Sequence, residues 1–328
     1  MSVLSRSDGI GGYLELELPR GQGLYYHNAI RYQSARAAFY ALLLHVKPSK
    51  VWMPKYICDT ILTPLSLLQI EVGFYELRSD FSIKSKISLN PKELILYVNY
   101  FGICSDNQFE ILKNFNSDQI VFDHSQAFFQ KPLDCLATIY SPRKFFGIPD
   151  GGLLVTDCDI EEPREVDTGS VNRSIHLLQR LQSGARSGYE AYQTAEKSLQ
   201  DLSPRRMSFL TERMLLAIDY ESIRIQRNNN FLYYQELFSE DNILDTEPLT
   251  FDGPLCYPLI LSNHIDRVGL AKHNFFIPTY WNDCSPRISS GSFEEKLMQN
   301  MLPLPCDQRY TPSSLKDLSD YLMENLNE

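Results

Sequence analysis

Two neighbouring stretches decide how this chain is read: FDHSQAFFQ at 122–130 and YSPRKFFGIPDGG at 140–152. The first ends an apolar run on an acid, Asp123, followed by His124, Ser125 and Gln126. The second carries Lys144, 21 residues after Asp123, ahead of Gly151 and Gly152, which open another apolar run, GLLVT (152–156). An acid and an amine delivered near strand ends are the parts that pyridoxal phosphate (PLP) chemistry needs. A lysine must hold the cofactor as a Schiff base, and a carboxylate must keep its pyridine nitrogen protonated. Each residue alone says little, because most lysines are solvated and a strand-end aspartate is commonly a cap or turn former.

Working outward, the first 155 residues alternate apolar runs with helical patterns. The runs are VWM (51–53), EVGFYEL (71–77), LILYVNYFG (94–102), QIVFD (119–123), LATIYS (136–141) and GLLVT. ARAAFYALLLHV (35–46) and NQFEILKNF (107–115) read as helices between them. This alternation predicts an α/β domain with a mostly parallel sheet. Ligands gather at the carboxyl ends of strands in such sheets. Asn99, Asp123 and Ser141 occupy such ends, which predicts one shared pocket. From about 172 to 238 the pattern is helical, with Pro204 near a helix start. The last stretch, 255–328, mixes strands (LCYPLIL, 255–261; NFFIPTYW, 274–281) with a C-terminal helix, SSLKDLSDYLMENL (313–326), capped by Ser313. The expected division is 1–205 for a large domain and 206–328 for a linking helix and a small domain.

Composition bounds the function. At 328 residues the chain is long enough for about two domains, and 43% hydrophobic with 22% charged residues is ordinary for a globular protein. A net charge of −10 argues against a nucleic-acid partner but permits a local positive pocket. Seven cysteines, at 58, 104, 135, 158, 256, 284 and 306, form no CxxC pair, and no histidine spacing completes a zinc pattern. No metal is expected, and the thiols suit a reducing compartment. MSVLSRSDGIGG (1–12) has no apolar signal core, and no run approaches the ~20 residues of a membrane span. The expectation is a cytoplasmic protein without a membrane partner.

Further segments complete a pattern that covers nearly the whole chain: GGYLELELP (11–19), YQSARAAFYALLL (32–44), VNYFG (98–102), MSFLTERMLLAIDYESIRIQRNNNFLYY (207–234) and LPLPCDQRY (302–310). With DHSQ (123–126) and Lys144 before Gly151–Gly152, they resemble the DegT/StrS family of PLP-dependent sugar aminotransferases. In that resemblance 11–19 is an opening strand, 32–44 leads into the first helix, and 207–234 is one long helix linking two domains. The implied fold is α/β, the PLP-dependent transferase fold, with a large domain around a mostly parallel sheet and a smaller C-terminal α/β domain. The implied assembly is a homodimer with active sites at its interface. The implied activity is amino transfer, from glutamate, to a keto group of a nucleotide-linked sugar, for surface polysaccharide or secondary-metabolite synthesis.

The resemblance also implies roles. Lys144 holds PLP and shuttles a proton, Asp123 pairs with the pyridine nitrogen, and Gln126 bonds the phenolic oxygen. Ser34, Ala35 and Arg36 open a helix whose N-terminus suits the phosphate, although Ser34 alternatively only caps that helix. Ser141 is a second phosphate candidate. Tyr56 and Tyr100 are ring-stacking or pocket aromatics, or simply core tyrosines. His124 contacts the cofactor or packs at the strand end, and His27, His45, His176, His264 and His273 read as structural. Arg143, Arg205, Arg206 and Arg309 are candidates for binding a diphosphate.

Three departures stand against the family pattern. Ser141 lies three residues before the lysine instead of five. Arg143 adds a positive charge that either lowers the lysine's pKa or points away. DLSPRRM (201–207) replaces the segment whose Asn reaches the partner subunit. The rival readings are a member that has lost catalysis and binds or regulates, and an aminotransferase for a non-sugar keto substrate. A sugar dehydratase would carry histidine in place of Lys144.

Overall fold

The apolar runs become the strands of one seven-stranded sheet in the computed structural model, which describes residues 10–21, 23–246, 249–262 and 266–326. The strands are β1 (Ile30–Tyr32), β2 (Lys50–Pro54), β3 (Glu71–Tyr75), β4 (Glu93–Val98), β5 (Ile120–His124), β6 (Ala137–Tyr140) and β7 (Gly152–Val155). Their spatial order is β1-β7-β6-β5-β4-β2-β3. The β2–β3, β2–β4, β4–β5 and β5–β6 pairs are parallel, and β7 runs against both its neighbours. Every residue of β5 and β6 is buried. Covered on both faces, these strands read as continuous apolar runs rather than as an alternation.

Helices α1 (Ala35–Val46), α2 (Thr63–Leu67) and α3 (Ser105–Asn114) link the early strands. After β7 the chain forms α4 (Ser170–Arg173), α5 (Ile175–Ser183) and α6 (Tyr189–Ser198), then α7 (Phe209–Leu216) and α8 (Tyr220–Phe238). The C-terminal part holds a two-stranded antiparallel sheet, β8 (Cys256–Ile260) with β9 (Met301–Pro305), in which Pro258 faces Pro303. Around it lie α9 (Arg267–Lys272), α10 (Phe293–Asn300) and α11 (Pro312–Leu326). Among the described residues no helix is long and apolar enough to cross a membrane.

Several local expectations change. The stretch 207–234 is two helices, because Asp219 caps a new one by accepting from the Ser222 N–H (3.1 Å). Pro204 lies outside any helix; α7 starts later, on the Ser208 cap. NFFIPTYW forms no strand: Asn274 and Trp281 at its ends have left-handed backbone (φ 64 and 55), and Pro278 lacks a ladder donor. Residues 11–19 form no strand either; Tyr13, Leu14 and Leu16 are exposed, and no strand pairs with this segment among the described residues. Ser313 lies inside α11. Thr311 precedes Pro312 at the helix start, and its N–H donates to Ser314 Oγ (2.8 Å).

Candidate active site

The carboxyl ends of β5 and β6 and the N-terminus of α1 converge on one cavity of about 490 Å³. Ser34, Ala35, Arg36, Asp123, Gln126, Ser141 and Lys144 all line it. The Gly151–Gly152 pair explains how α1 reaches the site. A Cβ on Gly152 would stand 2.1 Å from the Ser34 carbonyl carbon, and Gly151 has φ +116. Only glycine allows this approach and this backbone. The Gly151 N–H donates to the Gln33 carbonyl (2.8 Å), which pins the start of β7 to the start of α1.

Asp123 is buried at the end of β5, where its Oδ1 accepts from the Ser125 N–H (2.7 Å). Its Oδ2 accepts no hydrogen bond among the described residues. Gln126 Oε1 accepts from the Phe101 N–H (2.9 Å), leaving the amide nitrogen as a donor. Ser34 Oγ accepts from the Ala37 N–H (3.1 Å) and so caps α1. Its hydroxyl proton stays available to a second acceptor. Lys144 ends a short 3₁₀ turn, Pro142–Lys144, and its side chain is exposed with no hydrogen bond or ion pair among the described residues.

The lysine turn is fastened from outside the sheet. The Phe145 carbonyl accepts from Arg227 Nη2 (3.1 Å) and from Gln308 Nε2 (2.8 Å). Arg227 comes from α8, is fully buried, lies over the Phe145 ring (4.6 Å), and also donates to the Pro254 carbonyl (3.0 Å). Burial pushes its pKa down to about 10. On the other side, the buried Asp150 accepts from Ser170 Oγ, Thr211 Oγ1 and Arg173 Nη1 (2.8 Å for the last). Arg173 also binds Asp167 and donates to Ser198 Oγ (2.8 Å) at the end of α6.

Helix α6 supplies wall residues that sequence reasoning missed: Tyr192, Glu196, Lys197 and, just beyond it, Gln200. Tyr192 and Glu196 stand four residues apart, which aligns them on one helix face; that spacing was the available signal. Tyr280 and Trp281 also line the cavity, and no sequence pattern marked them.

Other expected residues sit elsewhere. Tyr56 and Tyr100 do not line the cavity; both are fully buried, stack on each other (6.0 Å), and Tyr100 donates to the Tyr56 carbonyl (2.8 Å). Trp281, which does line the cavity, packs against both Tyr56 (4.8 Å) and Tyr100 (5.9 Å). Asn99 turns into a buried network, donating to Gln108 Oε1 (3.2 Å), whose amide reaches His124 Nε2 (2.6 Å). His124 therefore packs instead of facing the cavity, and burial pulls its pKa down to about 3. Arg205, Arg206 and Arg309 do not line the cavity and are engaged with Glu165 and Asp201, Glu162 and Glu212, and Asp307. Arg143 lines it and pairs with Glu196. His176 and His273 bond to backbone carbonyls, while His264 lies outside the described residues.

No protein-family profile and no curated protein matches the sequence. Solved structures do. NtdA from Bacillus subtilis, with bound cofactor PMP, aligns over 92% of this chain and 73% of its own at 16% identity and a TM-score of 0.63. DesI, in the presence of its TDP-sugar product, aligns over 90% and 79% at 14% identity and a TM-score of 0.58. A DegT/DnrJ/EryC1/StrS aminotransferase from Brucella abortus aligns over 92% and 86% at 14% identity and a TM-score of 0.58. The chain has the fold of these aminotransferases. At such identities the likeness fixes the architecture, and the chemistry has to be argued from the residues of the cavity.

Proposed function

We propose that this chain is a PLP-dependent aminotransferase of the DegT/StrS type that moves an amino group, from glutamate, to a keto group of a nucleotide-linked sugar. The observation that carries the reading is the convergence of Lys144, Asp123, Gln126, Ser34, Arg36 and Ser141 on one cavity. The donor set suits the cofactor. An unpaired amine, a carboxylate with an open oxygen and an amide donor share a space with hydroxyls and cations at a helix N-terminus. The volume lies within the range of small-molecule sites.

PLP, when bound, supplies an electron sink for reactions at the carbon bearing the amine. The residues then divide the work. Asp123, through Oδ2, would hold the proton on the ring nitrogen. Gln126 Nε2 would donate to the phenolic oxygen. The Ser34 and Ser141 hydroxyls and the first turn of α1 would take the phosphate. Lys144 Nζ would attach the cofactor and carry the proton to and from the substrate carbon. Tyr280 and Trp281 would shield the site from water.

The sugar-nucleotide substrate is supported by the folds matched and by the cavity's excess of cations, Arg36, Arg143, Lys144 and Lys197 against Asp123 and Glu196, in a chain of net charge −10. A homodimer is supported by apolar side chains left open in this chain: Tyr13, Leu14, Ile175, Leu178 and Leu181. The free cysteines suit the reducing cytoplasm.

The test is reduction with borohydride after loading with PLP, followed by peptide mapping. Label on the peptide containing Lys144 is expected. Lys197 lines the same cavity, so label there instead would overturn the assignment. The protein loaded as pyridoxamine phosphate is then offered nucleotide-linked keto-sugars and simple 2-keto acids. Turnover with 2-keto acids alone would make it an amino-acid aminotransferase.

A further inference from the structure

The charges of the cavity do not balance. Arg143, one residue before Lys144, is pushed below its usual pKa by burial, with Arg36 adding repulsion. Arg36 is itself lowered by burial and has no carboxylate partner among the described residues. Glu196, on α6, meets Arg143 in a close ion pair. Asp150 also acts on Arg143 but is already taken by Ser170, Thr211 and Arg173, so among the described residues Glu196 is the one carboxylate paired with either guanidinium of the cavity.

We propose that Arg36 and Arg143 form an oxyanion receptor, and that Glu196 is its resident counter-ion, displaced when a ligand's phosphate or carboxylate arrives. Two cations that repel each other across a cavity gain most from an anion that bridges both. Guanidiniums bind such groups through paired, charge-assisted hydrogen bonds. A side-chain carboxylate fixed to a helix satisfies one of them; a mobile phosphate dianion can satisfy two.

The helix that carries Glu196 is built to yield. Of the residues in α6 only Ala195 is buried, and Tyr189 and Tyr192 are exposed. Few buried contacts mean a low local cost of movement. The hydrogen bond from Arg173 to Ser198 lies at the end of the helix, next to Glu196, and gives it a pivot. Exchange of Glu196 for a ligand oxyanion would thus couple filling of the site to a shift of the wall that covers it. The identity of the arriving group rests on the aminotransferase reading; the exchange itself does not.

The experiment is calorimetric titration of the PLP-free full chain with inorganic phosphate and, separately, with glutarate. Glu196→Gln should bind phosphate roughly fivefold more tightly, the scale of losing one partly exposed ion pair as a competitor. Arg36→Gln and Arg143→Gln should weaken it about tenfold or more. Glu190→Gln, an exposed change of equal charge on the same helix, should do neither. Repeating the titration with PLP bound separates the sources. Loss of both phosphate and glutarate binding assigns the receptor to the cofactor's phosphate. Glutarate binding that persists with the same variant pattern assigns it to the carboxylate of the amino donor. Unchanged phosphate affinity in Glu196→Gln, or wild-type affinity in a folded Arg36→Gln, overturns the proposal. If the chain takes up no PLP yet the variants follow the pattern, the exchange stands and the aminotransferase reading falls.

Discussion

Replacing Arg227 by methionine tests whether the lysine turn is held from α8. The guanidinium makes two well-formed bonds to buried carbonyls, those of Phe145 (3.1 Å) and Pro254 (3.0 Å), and covers the Phe145 ring. Hydrogen bonds from a charged donor contribute about 1.5–3 kcal/mol each, so their loss costs about 3–6 kcal/mol. Methionine also removes the cost of burying the charge. The drop from 12.5 to about 10 in pKa corresponds to about 3 kcal/mol of that cost. The two terms offset in part, and a net loss of about 2 kcal/mol is expected, less than the hydrogen bonds alone would suggest because the buried charge goes with them. Urea denaturation of the PLP-free protein reads it as a lower midpoint at unchanged slope.

The functional effect should be larger than the stability effect, because Phe145 directly follows Lys144. A loosened turn should weaken PLP binding, followed by absorbance. Gln308→Leu removes the other donor to the same carbonyl. Either single change leaves one donor; both together orphan a buried acceptor. The double variant should therefore lose about 1–2 kcal/mol more than the sum of the singles. Strict additivity, or a stability change in Arg227→Met below about 0.5 kcal/mol with unaltered PLP affinity, would refute the idea that this contact positions the lysine.

Three further predictions follow from the site. Asp123→Asn should fold and retain some PLP yet lose most transamination, since an amide cannot hold the ring nitrogen protonated; near-normal turnover would place the acid elsewhere. His124 is kept neutral by burial, with a folded pKa of about 3 against 6.5 unfolded. The unfolded chain alone takes up this proton as pH falls from 6.5 to about 3, so stability should drop by about 1.4 kcal/mol per pH unit in that window. His124→Gln should flatten the acid limb of midpoint against pH by that slope, and an unchanged limb would mean His124 is protonated in the fold. Light scattering at micromolar concentration should give a dimer, and a monomer with PLP fully bound would contradict the assembly proposed.

The sheet was legible because its strands are covered on both faces. LILYV and IVF had to be apolar at every position, with the acid Asp123 only at the strand end, and short apolar runs between turn signals allow few other readings. The elements that were misread depend on partners outside their own sequence. GGYLELELP alternates like a strand, but Leu14 and Leu16 stay exposed and no strand pairs with it among the described residues, and NFFIPTYW is stopped by left-handed backbone at Asn274 and Trp281. Local pattern reports what a segment can do, while pairing decides what it does. The same distinction governs the site. Lys144, Asp123 and Gln126 occur in two short neighbouring stretches, so one reading could catch them. Tyr280 and Trp281 reach the cavity from the far side of the chain, and Tyr56 and Tyr100, chosen for being aromatic, fell one layer behind them.

Asp150 shows most clearly why part of the site had no sequence signal. It stands in the quoted stretch, directly before Gly151, and could be taken for a turn residue. In the fold it is fully buried and receives Ser170 and Arg173 from α4 and Thr211 from α7, two separate helices of the helical region. A buried carboxylate is tolerated only when paired and hydrogen-bonded, so the glycine turn and the helical segment need each other. Arg173 extends the connection to Ser198 and hence to the helix that bears Tyr192, Glu196 and Lys197. The glycines bring α1 against β7, and the acid beside them brings α6 over the lysine. One tripeptide, Asp150-Gly151-Gly152, thereby positions two walls of the cavity by two different means, close backbone contact on one side and buried charge on the other. Breaking the charge should disturb the α6 wall while leaving the α1 wall in place, which makes the two walls separable even though their determinants are adjacent in sequence.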